Sequence, residues 1–220
     1  MQDFITVTGM VIKTLPVGEY DRHVCILTKE KGKITAYAKG ARKPNSRLVA
    51  VTNPFSFGEF KLYVGKSSYN LLEANISNYF EVLREDFVAA YYGMYFMELA
   101  DYYTRENNDE SMMLKLLYQS LRALCVDSLN KELVQYVYEM KAMVVNGEFP
   151  GAPRHINLSD SARYTIEYVM ESTLAKLYTF TVSDTVLKEL KVVCDDYRTR
   201  YIDKKMNSLN ILETLRPENG

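Results

Sequence analysis

The chain of 220 residues carries a net charge of −1 and is 47% hydrophobic, enough apolar material for a substantial core in one or two domains. Its cysteines, Cys25, Cys125 and Cys194, are scattered with no C-x-x-C among them, which excludes a disulfide framework and a cysteine zinc site and fits a reducing cytoplasm. No apolar run is long enough to span a membrane, and the opening MQDFITVTG lacks the basic and apolar regions of a signal peptide.

The near-neutral total conceals a division. Residues 1–80 hold 11 cations against 6 acids, a balance of +5, whereas residues 81–220 hold 16 against 22, a balance of −6. A basic front hints at a nucleic-acid face, although two ordinary domains with a chance imbalance would read the same way.

The first eighty residues read as strands. Val7, Met10 and Ile12 begin an apolar segment that Gly9 breaks. Val24, Ile26 and Thr28 alternate with Cys25 and Leu27, and Lys31-Gly32 turns this run into Ile34, Ala36 and Ala38, which alternate with Thr35 and Tyr37: a hairpin signal. Phe55, Phe57, Glu59 and Lys61 share one parity of the next strand, and Ser56, Gly58, Phe60 and Leu62 the other. Gly65-Lys66-Ser67-Ser68 leads into a last strand from Tyr69 to Phe80. Five short strands with Gly-rich turns predict a small closed barrel, with an OB-fold leading and an SH3-like barrel as the alternative. Phe55, Phe57 and Phe60 are expected to fill it.

Ile34 to Arg47, ITAYAKGARKPNSR, joins a strand to a glycine and then to Lys39, Arg42, Lys43 and Arg47, with no acid between Glu30 and Glu59. Cations on a loop fixed by a rigid strand can neutralise phosphates and release condensed counterions. The competing account is a solvated charged loop. Tyr37, leading into the loop, is placed to stack on a single-stranded base if exposed.

After Phe80 the period changes to 3.6. Phe87, Tyr91, Met94, Tyr95, Glu98 and Tyr102 lie on one helical face, and Met112 to Val126 makes a second helix. Asn130 caps a third from Lys131 to Asn146 that Gly147 stops. Glu148 to Leu158, with Pro150, Gly151 and Pro153, is loop. Ser159 or Asp160 caps a helix to about Lys176, Ser183 caps another, and a short one covers Met206 to Leu215. The tail RPENG is expected to be disordered. The domain boundary falls near Phe80 to Arg84, giving an N-terminal domain over 1–80 and a helical bundle over 81–220. The class is α+β, mainly β and then all-α.

Catalytic groupings are poor. His23 and His155 are far apart, no phosphate-binding or nucleophile motif is present, and adjacent Asp195 and Asp196 point in different directions on a helix. Glu98, in an apolar stretch, is expected to bond a tyrosine hydroxyl or a lysine. The methionines of the helical part are expected mainly as core filling, with a partner-binding groove as the alternative.

The spacing of Gly18-Glu19-x-Asp21-Arg22, Leu27-Thr28-x-x-x-Gly32 and Ala38-Lys39-Gly40-Ala41-Arg42, followed by PFSFGEFKLYVGK and LREDFVAAYYGMYFMEL, resembles the bacterial RecO family of recombination mediators. The resemblance is specific over the first half; the second half matches in helical character and in the closing KKMNSLNIL. It implies an N-terminal OB-fold, then an α-helical bundle. It also implies binding of single- and double-stranded DNA, strand annealing, and work with RecR and single-stranded DNA-binding protein so that RecA loads on coated DNA. The C-terminal tail of single-stranded DNA-binding protein is the expected ligand of an adaptor role. By position Lys39, Arg42, Lys43 and Arg47 match the family's basic loop, and Lys33 and Tyr37 join them as expected DNA contacts. Many relatives carry a four-cysteine zinc module; the corresponding stretch here, NGEFPGAPRHINLSDS, has no cysteine, so no metal and no cofactor are expected. An RNA-binding OB module or a protein-interaction adaptor remains the alternative function.

Overall fold

A computed structural model describes residues 3–66 and 68–215. The expected disorder of the RPENG tail and the position of Ser67 in its turn lie outside those residues. The chain divides into two compact units, Met1–Glu81 with Ala100–Leu114, and Val82–Leu99 with Lys115–Gly220.

The first unit is a barrel. Its strands are β1 (Phe4–Val17), β2 (Asp21–Thr28), β3 (Gly32–Ala38), β4 (Phe57–Val64) and β5 (Tyr69–Asn78), with a one-turn helix α1 (Leu48–Val51) between β3 and β4. They close in the order β1-β2-β3-β5-β4. Only β3 and β5 run parallel, through Ala36–Tyr69 and Tyr37–Asn70; the other pairs are antiparallel. Alternation turns Val7, Val24, Ile26, Ile34, Ala36, Phe60, Leu62 and Leu71 inward as one apolar core. The result is the five-stranded barrel of OB type that the sequence predicts.

Gly9 does not break β1. It pairs with both Thr28 of β2 and Gly58 of β4, and a Cβ there would meet the Leu27 carbonyl oxygen at 2.5 Å. Glycine allows the close backbone approach where β1 passes from one partner to the other. Phe60 is buried in the barrel core as expected; Phe55, expected in the same strand, precedes β4 with φ +72 and is buried outside that core cluster, and Phe57, at the strand start beside a register shift, is half-buried.

The helices are α2 (Val82–Glu85), α3 (Phe87–Tyr103), α4 (Ser111–Leu124), α5 (Lys131–Val145), α6 (Asp160–Glu171), α7 (Asp184–Tyr201) and α8 (Asn207–Leu215). The last turn of α3, the first turn of α4 and the loop joining them belong to the barrel unit. There Lys33 N–H donates to the Arg105 carbonyl at 2.9 Å and Asn107 N–H to the Lys31 carbonyl at 3.0 Å, so this loop extends the edge of β3.

In the helical unit every residue from Leu133 to Met143 of α5 is buried, and α6 and α7 pack on it. The burial includes polar side chains that find partners: Gln135 donates to Glu139, which also accepts from Arg198. Asn130, Ser159 and Ser183 accept backbone N–H bonds at the starts of α5, α6 and α7, as their sequence positions predict. Met97, Met113, Met140 and Met143 are buried, while Met94 and Met112 are exposed.

The α3 face that carries Phe87, Tyr91, Met94 and Tyr95 is divided: Phe87 is 62% exposed and Met94 is exposed, whereas Tyr95 is fully buried with Ala89, Tyr92, Phe96 and Leu99. In so apolar a helix the period is ambiguous. Helix α6 ends at Glu171 rather than near Lys176, because buried Lys141 donates from Nζ to the carbonyls of Val169, Met170 and Ser172 at 3.0, 2.8 and 2.7 Å. Glu98 bonds neither tyrosine nor lysine in the bonds resolved; its carboxylate accepts the backbone N–H of Asn207 and Ser208 at 3.1 and 3.0 Å, at the start of α8.

Candidate nucleic-acid interface

The basic loop is built on the turn between β1 and β2. Asp21, the first residue of β2, accepts the Gly40 N–H at 2.6 Å and the Tyr37 hydroxyl on its other oxygen. Gly40 adopts φ +68, a conformation glycine takes without penalty. Arg42 N–H then donates to the Tyr20 carbonyl at 2.8 Å, and its guanidinium to the Gly18 carbonyl at 3.2 Å. Lys43 Nζ lies 5.5 Å from the Tyr20 ring centroid, within cation–π range. Ala38 and Ala41 are fully buried, so the loop is rooted in the core while Lys39, Arg42, Lys43 and Arg47 stay exposed.

Arg22 fixes the far end. From Nη1 it donates to the Val49 carbonyl, Thr52 Oγ1 and Asn53 Oδ1 at 3.1, 2.7 and 3.0 Å, which holds α1 in place. The Gly40 N–H, the Tyr37 hydroxyl and the fields of Lys39 and Lys43 hold the Asp21 carboxyl below its usual range. Burial first, and then the Arg42 charge, press Arg22 down. The backbone bonds of Gly40, Arg42 and Lys43 to Asp21, Tyr20 and Gly40 set this stretch of the loop around one turn. Arg47 stands at the other end of the loop, where its charge bears on Glu73 of β5.

The outer face of β2 and β3 continues the surface. With Val24, Ile34 and Ala36 inside, alternation leaves His23, Lys33, Thr35 and Tyr37 outside. They line a cleft of about 570 Å³ with Lys66, Ser68, Tyr69 and Glu106. This strand 2–3 face, flanked by the β1–β2 and β4–β5 turns, is where OB-folds take oligonucleotides. Tyr37 is half-buried and meets His23 edge-on at 5.7 Å. Lys33 is differently occupied from the loop cations: Nζ lies 2.8 Å from the Asp101 carboxylate and 2.5 Å from its carbonyl, so its charge is largely spent within the unit. His23, Lys66 and Tyr69 of this cleft are not among the residues that the sequence points to. Strand parity, which sets His23 on the Tyr37 face, was the available signal.

The helical unit has an open cleft of about 730 Å³ lined chiefly by Tyr164, Tyr168, Phe180 and Val186. The loop between α5 and α6 offers His155, which meets Asp196 and Arg200 at 3.1 and 3.0 Å, and no cysteine. Those donors do not fit a structural zinc site. Among the described residues no group of three or more His, Cys, Asp or Glu side chains could hold a metal ion, and no helix is long and apolar enough to cross a membrane.

A closed OB-type barrel carrying an exposed cation loop, followed in the chain by a helical region, defines the class. Residues 1–80 match the family model described as recombination protein O N-terminal, and residues 84–152 the corresponding C-terminal model. The chain is 28% identical to the DNA repair protein RecO of Acetivibrio thermocellus over 97% of its own length and 98% of the relative's. It is 25% identical to the RecO of Bacillus cereus B4264 and 26% to that of Bacillus anthracis CDC 684, each over 96% of this chain and 98% of the relative. The chain belongs to the RecO family.

Proposed function

We propose that this protein is a DNA-repair recombination mediator without catalytic activity. It binds single- and double-stranded DNA through a domain spanning residues 1–80, anneals complementary strands, and with RecR helps RecA load on DNA coated by single-stranded DNA-binding protein. The observation that carries this reading is the exposed set Lys39, Arg42, Lys43 and Arg47 on a loop fastened at both ends beside the β2–β3 face. Neutralising two phosphate backbones lowers their repulsion and lets bases pair without a nucleotide cofactor. Tyr37 and His23 supply ring surface for single-stranded bases. Lys33 contributes less than the loop cations because Asp101 already engages it. The helical part, residues 81–220, docks the partner proteins, and its aromatic cleft suits the tail of single-stranded DNA-binding protein.

A salt titration by fluorescence anisotropy tests the DNA contact. Arg42→Glu with Lys43→Glu is expected to weaken binding at least tenfold and to reduce the slope of log affinity against log salt by about 2. Unchanged affinity and slope would refute the assignment. Competition with RNA of equal sequence separates a DNA mediator from an RNA-binding module.

A further inference from the structure

We propose that Asp21 is a positioning residue for DNA binding: bonded to the Gly40 N–H and the Tyr37 hydroxyl, it holds the basic loop in the shape that presents Lys39, Arg42 and Lys43 together. The inference rests on the DNA-binding reading above and adds a residue of the same charge sign as the ligand. By charge alone, a carboxylate among these cations opposes a polyanion. Geometry gives it the opposite effect.

The two neighbours Asp21 and Arg22 divide the task. Asp21 fixes the start of the loop at Gly40 through a 2.6 Å bond, and Arg22 fixes its end through Val49, Thr52 and Asn53. Between those points the Arg42 and Lys43 N–H groups donate to the Tyr20 and Gly40 carbonyls at 2.8 and 3.0 Å. Ala41, fully buried, cannot slide. Cations ordered before binding lose little conformational freedom on meeting phosphates, whereas a loosened loop must be ordered by the ligand. Tyr37 then has two parts to play, its ring lining the cleft and its hydroxyl completing the Asp21 latch.

The full-length chain and its Asp21→Ala, Asp21→Asn and Tyr37→Phe variants are titrated with a labelled single-stranded oligonucleotide over a range of salt. Both Asp21 variants raise the net charge equally, so charge alone predicts equal and tighter binding. Positioning predicts that Asp21→Ala binds about five- to tenfold more weakly with a shallower salt slope. Asp21→Asn retains an acceptor for Gly40 and is expected to recover part of the loss, while Tyr37→Phe, with charge and ring unchanged, weakens binding about two- to threefold. Hydrogen exchange of residues 39–47 in the free protein should quicken in Asp21→Ala. Binding by Asp21→Ala as tight as wild type, or unchanged loop exchange, overturns the inference alone. Absence of binding by the wild type overturns the DNA-binding reading and the inference with it.

Discussion

Lys141 shows how one side chain can set the end of a helix. Its ammonium, reaching from α5, donates to the carbonyls of Val169, Met170 and Ser172 at the C-terminal end of α6 and meets the negative end of that helix dipole. Desolvation lowers its pKa, yet the carbonyls are its reason for being inside. Lys141→Met is expected to destabilise the protein by about 2–3 kcal/mol, because buried carbonyls lose a charged donor. Urea unfolding would check this, and a loss near zero would mean that water replaces the ammonium. Asp21 carries a pH signature. Its folded pKa lies below the ordinary 3.8, so its stabilisation is present above that value and is lost as pH falls through the lower folded value. The difference in thermal midpoint between wild type and Asp21→Asn is expected to persist at neutral pH and to close on acidification. A difference that stays constant well below the carboxylate range would contradict the assignment.

Turns decide the elements of the barrel. Gly32 opens β3 with φ +65, and a Cβ there would meet the Arg105 carbonyl oxygen at 2.3 Å. Gly18 has φ +53 in the turn under the basic loop, with nothing within 4 Å of the same position. Gly18→Ala therefore carries backbone strain of about 1 kcal/mol, and Gly32→Ala adds a collision that must displace the loop at Arg105, for about 2–3 kcal/mol in all. Denaturant unfolding of the two variants should rank them in that order. The hairpin itself was legible in the sequence, since Lys31-Gly32 separates two alternating runs. Its second purpose was not, because Arg105 is remote in sequence and meets the turn only in the folded unit.

Over the whole molecule the net charge of −1 gives little long-range attraction for DNA. Binding then depends on where the cations sit rather than on their total. Reversing Arg42 and Lys43, or reversing exposed Lys176 and Lys188 of the helical unit, changes the net charge equally. Only the first pair is expected to weaken DNA binding substantially, with less than about a twofold effect from the second. Equal losses in the anisotropy titration would show that general electrostatics, not the loop, governs association.

Local pattern by itself determined a barrel followed by helices, the caps at Asn130, Ser159 and Ser183, and the cation loop after β3, because period, turn residues and charge runs are properties of neighbouring positions. Tertiary structure alone decided that Asp101 occupies Lys33, that Glu98 starts α8, that Lys141 stops α6 and that Asp21 ties down Gly40. Each of these joins residues far apart along the chain. A carboxylate or an ammonium chooses its partner only when folding has removed water and brought one donor or acceptor within reach.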